Sequence, residues 1–455
     1  MTEAVSIIGA GLAGSEAAWQ LAERGVDVRL YEMRPLLNTP VHHSADAAEL
    51  VCSNSLKSLE AKSASGCLKY ELAAFGSLLL ATALAEKVPA GKALAVDRLR
   101  FAQRVTAALS THPHIQLVRQ EEHDLGALIA SPLPTIIATG PLTSPALEHE
   151  LTRFLGLRHL AFFDAAAPIV AADSLDRQRL FAQTRYGCGS ADYLNAPLNK
   201  AEYERLLAAL VAAERVVSRD FETADLFQAC QPVEEVARKG LETLRFGALK
   251  PVGLTDPATG HRPWAVVQLR AENRGHTAYN LVGFQTNLKF SEQERVFRMI
   301  PGLEEAEFTR FGVMHRNTYI NAPRLLNPDL SLRQHPQVFF AGQICGTEGY
   351  CEAMASGVLA ALGAYARLRG RPAPALPAES SFGSLINYAC DPETQDYQPM
   401  HVNFGIMKAL DSPLRKKDER YRAYAARAQA AIQDFLRARS DLDFLPALGS
   451  DFLLE

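Results

Sequence analysis

The chain has 455 residues, 48% of them hydrophobic and 22% charged, with a formal net charge of −4. That length allows two or three domains and a large buried core, and the charge excludes a globally basic nucleic-acid binder, so any RNA has to be held by a local patch. Seven cysteines, at Cys52, Cys67, Cys188, Cys230, Cys345, Cys351 and Cys390, form an odd set without a C-x-x-C pair, which excludes a disulfide framework and offers no zinc spacing. The N-terminus enters a strand almost at once, with no basic stretch and cleavable apolar segment. No apolar run approaches the ~20 residues that span a bilayer. The expectation is a cytoplasmic protein with free thiols, no metal and no membrane contact.

The first predicted elements lie in "AVSIIGAGLAGSEAAWQLAERGVDVRLYEMRP". Val5 to Ile8 is a β-branched run suited to a buried parallel strand. Gly9, Gly11 and Gly14 complete G-x-G-x-x-G, and Leu12, Ala17 and Leu21 carry an apolar helical face. A second strand opens at Val26 and closes at Glu32, whose carboxylate is placed to accept ribose hydroxyls. The glycines let the turn approach a pyrophosphate, and the helix N-terminus supplies N–H groups and a positive dipole. The turn Gly9, Ala10, Gly11, Leu12, Ala13, Gly14, together with Glu32, is therefore a candidate dinucleotide site. Further on, "TIIATGPLTS", 135–144, has the form of another strand and turn.

From Leu147 to about Arg324 the pattern changes. "NKAEYERLLAALVAAERVV" predicts a helix with a capping-box-like start at Asn199 and Glu202. "RPWAVVQLR" and "YNLVGFQTNL" predict strands, the first preceded by the turn signal "TDPATGHR". "QVFFAGQICGTEGYCEAMASGVLAALGAYARL" is again a strand, Val338 to Phe340, then a Gly-rich turn and a helix. "RPAPALPAES" is a Pro-rich connector, and a tail helix follows in which Lys and Arg outnumber Asp and Glu between Arg415 and Arg439. No internal repeat is present.

The late strand decides between NAD and FAD. It resembles the two-dinucleotide-binding FAD enzymes, in which a strand ends in Ala-Gly and a helix N-terminus points at the flavin. The usual residue after that Ala-Gly is Asp, and here Gln343 follows Gly342. With the 135–144 piece, three segments far apart in sequence point to an α/β fold: a discontinuous Rossmann-like FAD-binding domain with an inserted α+β domain. The expected division is 1–146 and 325–455 for the FAD-binding domain, with its basic C-terminal helix, and 147–324 for the insertion.

"GAGLAGSEAAW", "YEMRP", "ELVCSNSLKS", "PAGKALAVDR", "RYGCGSADYLNAP", "FQACQPVEE", "LKPVGL", "LVGFQTNLK", "IPGLEEAEFTRFGVMHRNTYINAPRLL", "GTEGYCEA" and "YQPMHVNFGI" together resemble the folate- and FAD-dependent tRNA (uracil-5-)-methyltransferase family, TrmFO. The resemblance implies formation of 5-methyluridine at position 54 in the T loop of tRNA. It implies 5,10-methylenetetrahydrofolate as carbon donor and NAD(P)H as the source of electrons passed through FAD.

That chemistry asks for thiols. Uracil C5 is a poor nucleophile until something adds to C6, and a thiolate is well suited to do so. After the methylene joins C5, a base must remove the C5 proton so that the thiolate can leave, and a hydride from reduced flavin completes the methyl. The resemblance carries two functional cysteines onto Cys52 and Cys230. Cys230, in the insertion that must meet the RNA, is assigned as nucleophile. Cys52 assists near the flavin as second thiol, acid/base or transient carrier, and the exchanged assignment stays open. Ser53, Asn54 and Ser55 around Cys52, and Gln231, Pro232, Glu234 and Glu235 around Cys230, argue against plain burial. Cys67, Cys345, Cys351 and Cys390 are expected to be small buried hydrophobes. Arg185, Tyr186, Asn195, Lys250, Gln268, Arg270, Gln285, His315, Arg316 and Asn317 lie in the matching motifs as candidates to line folate and uridine sites. Ordinary structural hydrogen bonding accounts for any one of them as well.

Three other readings stand beside this one. An FAD enzyme of the tRNA wobble uridine shares the late helix start but is longer. An NAD(P)H–flavin oxidoreductase of small molecules would carry a second complete G-x-G-x-x-G, which this chain lacks. A non-catalytic flavin-bound RNA-binding protein would need neither thiol.

Overall fold

The computed structural model describes residues 4–39, 41–156, 160–187, 191–216, 231–394, 397–412 and 414–454. Its first sheet is wholly parallel, in the order Val338–Phe340, Thr135–Ile137, Val5–Ile8, Val28–Glu32, Ile115–Arg119. Ile7 lies opposite both Leu30 and Ile136, and all three are fully buried. Each such side chain contributes about 1.5–3 kcal/mol by leaving water. The three strands Val338–Phe340, Thr135–Ile137 and Val5–Ile8 read as near-continuous apolar runs because helices cover both faces of a parallel sheet, whereas Val28–Glu32 and Ile115–Arg119, towards the edge, carry polar residues.

Two of those helices meet at unusually short range. Leu12–Ala22 packs on Tyr350–Leu368, and a Cβ on Gly357 would sit 2.3 Å from the Ala13 carbonyl oxygen. Gly14 is under the same constraint, since a Cβ there would fall 1.8 Å from the Gly9 oxygen. The third glycine of the motif thus serves helix–strand packing.

A second sheet is antiparallel apart from its position in the chain: all six of its strands fall between Ile169 and Arg310. The order is Phe181–Ala182, Tyr193–Leu198, Ala265–Ala271, Ala278–Leu281, Ile169–Ala171, Phe308–Arg310. The helix Lys200–Ala212 begins at the expected capping box of Asn199 and Glu202 and buries Tyr203, Leu206, Leu207 and Leu210 in this second core. The chain enters and leaves the segment through one antiparallel ladder, Leu160–Ala165 with Met314–Tyr319. A small antiparallel sheet of Ser55–Ser58, Ala93–Val96 and Lys87–Val88 stands beside it. The tail helix runs Lys417–Ala438 and packs on Ala64–Ala74.

Among the described residues, no single helix is long and apolar enough to cross a membrane. No group of three His, Cys, Asp or Glu among them stands ready to hold a metal ion.

Candidate functional site

The loops leaving the carboxyl ends of the parallel strands converge on one cleft. Gly9, Gly11, Leu12 and Ala13 form one wall, Tyr31 to Arg34 another, and Gln120–Glu122, Thr139–Ser144 and Gly342–Gln343 complete it. The chain runs from the central strand to one side of the sheet and then returns to the other. The crevice at such a switch point is where doubly wound sheets take ligands. A Cβ on Gly11 would meet nothing within 4 Å, so the turn opens onto free space. Gly11 is also the N-cap of the following helix and provides no side-chain cap, which leaves the first-turn N–H groups for an anion. These features fit a dinucleotide such as FAD. Ala10 is fully buried and Gly14 lies behind the turn, so neither lines the cleft wall.

Glu32 faces this cleft but is already engaged. Its Oε2 accepts from the Ala10 N–H at 3.0 Å, and Arg34 donates from Nε at 2.9 Å and from Nη2 at 3.1 Å. Burial by itself would raise the Glu32 carboxyl, but the Arg34 hydrogen bonds and charge outweigh it and hold the group below its usual range. The Arg34 N–H adds a further bond to Oε1 at 3.0 Å, so the carboxylate is an anion at the cleft wall with two donors on each oxygen, which a ribose hydroxyl would have to share. Arg34 also reaches Glu49 at 3.2 Å. Burial and then the Arg34 charge push the nearby His42 imidazole down to about 4, so it is neutral at neutral pH. Gln343 lines the cleft and donates to Glu348 at 2.6 Å.

The Cys52 loop borders the same cleft through Val51 and Tyr350. Tyr350 Oη accepts the Cys52 N–H at 3.0 Å and the Ser53 N–H at 3.1 Å. Three arginines hold the rest of the loop. Arg98 donates to the Leu50 carbonyl at 2.5 Å and to that of Cys52 at 3.4 Å. Arg310 donates to Val51 at 2.5 Å. Arg270 reaches Ser53 Oγ at 2.7 Å and Asn54 Oδ1 at 2.8 Å. Lys57, later in the loop, pairs with the buried Glu352 at 3.0 Å, tying it to the helix that begins at Tyr350. Cys52 Sγ lies 3.8 Å from the Ala165 carbonyl. Positive charge thus surrounds a partly exposed thiol whose reactive form is the anion.

The other thiols differ. Burial pushes Cys67 up to about 12 and Cys345 up to about 11, and it raises Cys351 and Cys390 as well. All four are buried. Cys230 and Cys188 lie outside the described residues. Glu234, in the Cys230 motif, is fully buried and burial pushes its carboxyl up to about 7. It accepts from Thr286 Oγ1 at 2.9 Å and from the Asn287 N–H at 2.7 Å.

Of the remaining candidates, the half-buried Arg185 joins two buried amides: Arg185 Nε donates to Gln268 at 2.8 Å, and Gln268 to Asn195 at 2.9 Å. Gln285 offers its backbone carbonyl to Val233 at 2.7 Å. Asn317 is fully buried, with neither amide atom hydrogen-bonded. The side chains of His315 and Arg316 are outside the described set. Sequence reasoning singled out neither Arg34, Arg98, Arg310 nor Tyr350. All four sit inside motifs quoted above, yet only tertiary contact reveals their targets, because the loop they hold carries no spacing signal.

Comparison with known proteins follows the same lines. A family profile described as "Glucose inhibited division protein A" matches residues 4–372. The chain is 54% identical to the methylenetetrahydrofolate–tRNA-(uracil-5-)-methyltransferase TrmFO of Moorella thermoacetica, over 94% of this chain and 97% of that one. It is 53% identical to the protein of the same name from Geobacter sulfurreducens, over 96% of this chain and 99% of that one. Among solved structures, Aquifex aeolicus GidA has the same fold, with a TM-score of 0.69 at 16% identity, covering 97% of this chain and 74% of that one.

Proposed function

The chain belongs to the methylenetetrahydrofolate–tRNA-(uracil-5-)-methyltransferase family, and we propose that its parallel-sheet cleft and Cys52 loop are the two halves of one active site. The activity is FAD- and folate-dependent methylation of uracil C5 in tRNA. FAD supplies reducing equivalents when bound. Gly11, Leu12 and Ala13 would offer its pyrophosphate their backbone N–H groups, while Gly9, whose own N–H donates to the Tyr31 carbonyl at 2.8 Å, turns the chain beneath it. Glu32 would share its carboxylate with ribose hydroxyls, and Gly342 and Gln343 bound the far end of the cleft.

Cys230 is the nucleophile in this reading: its thiolate adds to uracil C6, so that C5 can attack the methylene carbon of the folate. A base then takes the C5 proton as the bond from the methylene carbon to the folate nitrogen breaks and tetrahydrofolate leaves; the hydride that reduced FAD would supply adds to the exocyclic methylene, and the thiolate departs from C6. Cys52 is the second thiol, kept beside the cleft by Tyr350 and the three arginines. The reading extends to uridine 54 in the T loop as the target, and to the division 1–146, 147–324 and 325–455. It extends also to the cytoplasm as the place of action, where a reducing environment suits the free thiols. The single observation that carries it is the meeting of the Cys52 loop and the dinucleotide cleft at Tyr350, which lines the cleft and accepts two N–H groups from the loop.

A tRNA transcript bearing 5-fluorouridine at position 54 tests it, in the presence of FAD, NAD(P)H and methylenetetrahydrofolate. Fluorine cannot leave C5 as a proton does, so a covalent adduct is expected, and peptide mapping should place it on Cys230. An adduct on Cys52 exchanges the two roles. Full methylation by both the Cys230→Ala and Cys52→Ala proteins refutes thiol catalysis, and methylation at another position refutes the T-loop assignment.

A further inference from the structure

Tyr186 combines an exposed ring with a left-handed backbone, as no other Phe, Tyr or Trp among the described residues does. It is 64% exposed, and its backbone takes the left-handed conformation, φ +62° and ψ +20°, which a bulky residue adopts only where its surroundings impose it. Those surroundings are specific. The Tyr186 N–H donates to the Gly253 carbonyl at 3.3 Å. A Cβ on Gly253 would sit 2.9 Å from Tyr186 Cδ1, so one edge of the ring rests on bare glycine backbone. Gly253 is itself left-handed, at φ +80°. One strained residue, Tyr186, thus rests on a glycine whose own left-handed turn costs nothing.

The base of this ring is anchored into the core. Asn195 is fully buried and donates to the carbonyls of Phe181 and Gln183 at 3.1 and 2.9 Å. Its Oδ1 accepts from Gln268 at 2.9 Å, and Gln268 Oε1 accepts from Arg185 Nε at 2.8 Å. Arg185 also donates to the Lys250 carbonyl. The residue before Tyr186 is thus fixed by a chain of buried amides, and the exposed Lys250 lies on the loop that ends at Gly253.

That chain also leads back to the Cys52 loop. Gln268 and Arg270 share one face of the strand Ala265–Ala271, ~7 Å apart by strand geometry. Gln268 holds Arg185, and Arg270 holds Ser53, the residue after Cys52. A braced, solvent-facing aromatic ring with an arginine beside it, here Arg185, is the arrangement on which single-stranded nucleic acids stack their bases. We infer that Tyr186 is a stacking platform for a nucleobase of the tRNA next to the uracil being methylated. The inference rests on the functional reading above. It adds the residue that keeps the target base unstacked and in register with the thiols.

The test uses the FAD-loaded protein and a tRNA transcript. Direct tRNA binding is measured alongside the KM values for tRNA and methylenetetrahydrofolate. Tyr186→Ala is expected to weaken tRNA binding roughly 5- to 100-fold, with FAD content, flavin reduction by NAD(P)H and the folate KM unchanged. Tyr186→Phe keeps the ring and should bind within about two-fold of the parent. Tyr186→Leu keeps apolar contact with Gly253 without a π-face; it should bind as poorly as the alanine variant, and it replaces that variant should alanine impair folding. Unchanged tRNA binding in both ring-less variants overturns the platform. So does a rise confined to the folate KM, which would give the ring to the pterin, or a phenylalanine variant as weak as alanine. Failure of the parent protein to methylate would refute the functional reading, and the binding comparison would still decide the platform.

Discussion

Glu32 is 5% exposed and Arg34 is 2% exposed, and neither charge could be buried without the other. A buried pair is costly to break because the surviving partner is left uncompensated. Glu32→Ala should therefore act twice. FAD retention should fall by ~1.5–3 kcal/mol, the worth of a charged acceptor. Stability should fall near the lower end of about 3–5 kcal/mol, because Glu49 still holds one arm of Arg34. Flavin release on dilution and thermal unfolding of the FAD-free protein measure the two effects. Normal retention with lowered stability would show that Glu32 serves Arg34 alone. The position of Glu32 was readable in the sequence, at the end of the strand after G-x-G-x-x-G. Its partner was not, since Arg34 acquires meaning only when Glu49 folds back against it.

At the scale of elements, the Leu12–Ala22 and Tyr350–Leu368 helices are held together by a missing side chain. Gly357→Ala places a methyl 2.3 Å from the Ala13 oxygen, and the helices must separate. The expected cost is ~1–3 kcal/mol, with lowered flavin content, because the first helix carries the phosphate-binding turn. Equal thermal stability and flavin content in the variant would contradict this packing. A second junction joins Ala64–Ala74 to Ser381–Cys390. There the buried Glu71 accepts from the Ser381 N–H and Oγ at 2.7 Å each and from the Phe382 N–H at 2.9 Å. Burial pushes its carboxyl up to about 7. The folded state then binds the proton more tightly than the unfolded state. Its contribution is full below the ordinary carboxylate range and is lost as pH rises through about 7. At most ~3 kcal/mol is at stake. Denaturant unfolding between pH 5 and 8 should show a decline that is shallower in Glu71→Gln; identical slopes would mean that Glu71 titrates normally. The helices themselves were legible from their periodicity and from the Asn199–Glu202 capping box. The Gly357 contact was not, because a glycine inside an Ala-rich helix looks the same in sequence whether or not another helix touches it.

For the whole molecule the question is how the parallel-sheet half and the antiparallel half keep one site. Arg270, from the second sheet, reaches Ser53 and Asn54 beside Cys52, and Arg98 pairs with Glu272 at 3.0 Å across the same junction. Arg270→Leu should leave FAD bound, since no part of the cleft wall is removed. Methylation should nevertheless fall ~100-fold, the usual penalty for a displacement of about 1 Å between reacting groups. Label transfer from methylenetetrahydrofolate at saturating tRNA, set beside flavin content, measures this. Undiminished turnover would show that Arg270 positions nothing. The sequence by itself determined the strands at Val5–Ile8 and Val338–Phe340, the glycine turn, the discontinuous α/β plan and the family, because each rests on local periodicity or on contiguous motifs. Only the tertiary structure decided that Arg98, Arg270, Arg310 and Tyr350 converge on the Cys52 loop, and that Tyr186 is held outward. Those contacts join residues from 46 to 298 positions apart, and chain closure over such distances leaves no periodic trace for a reader of the sequence.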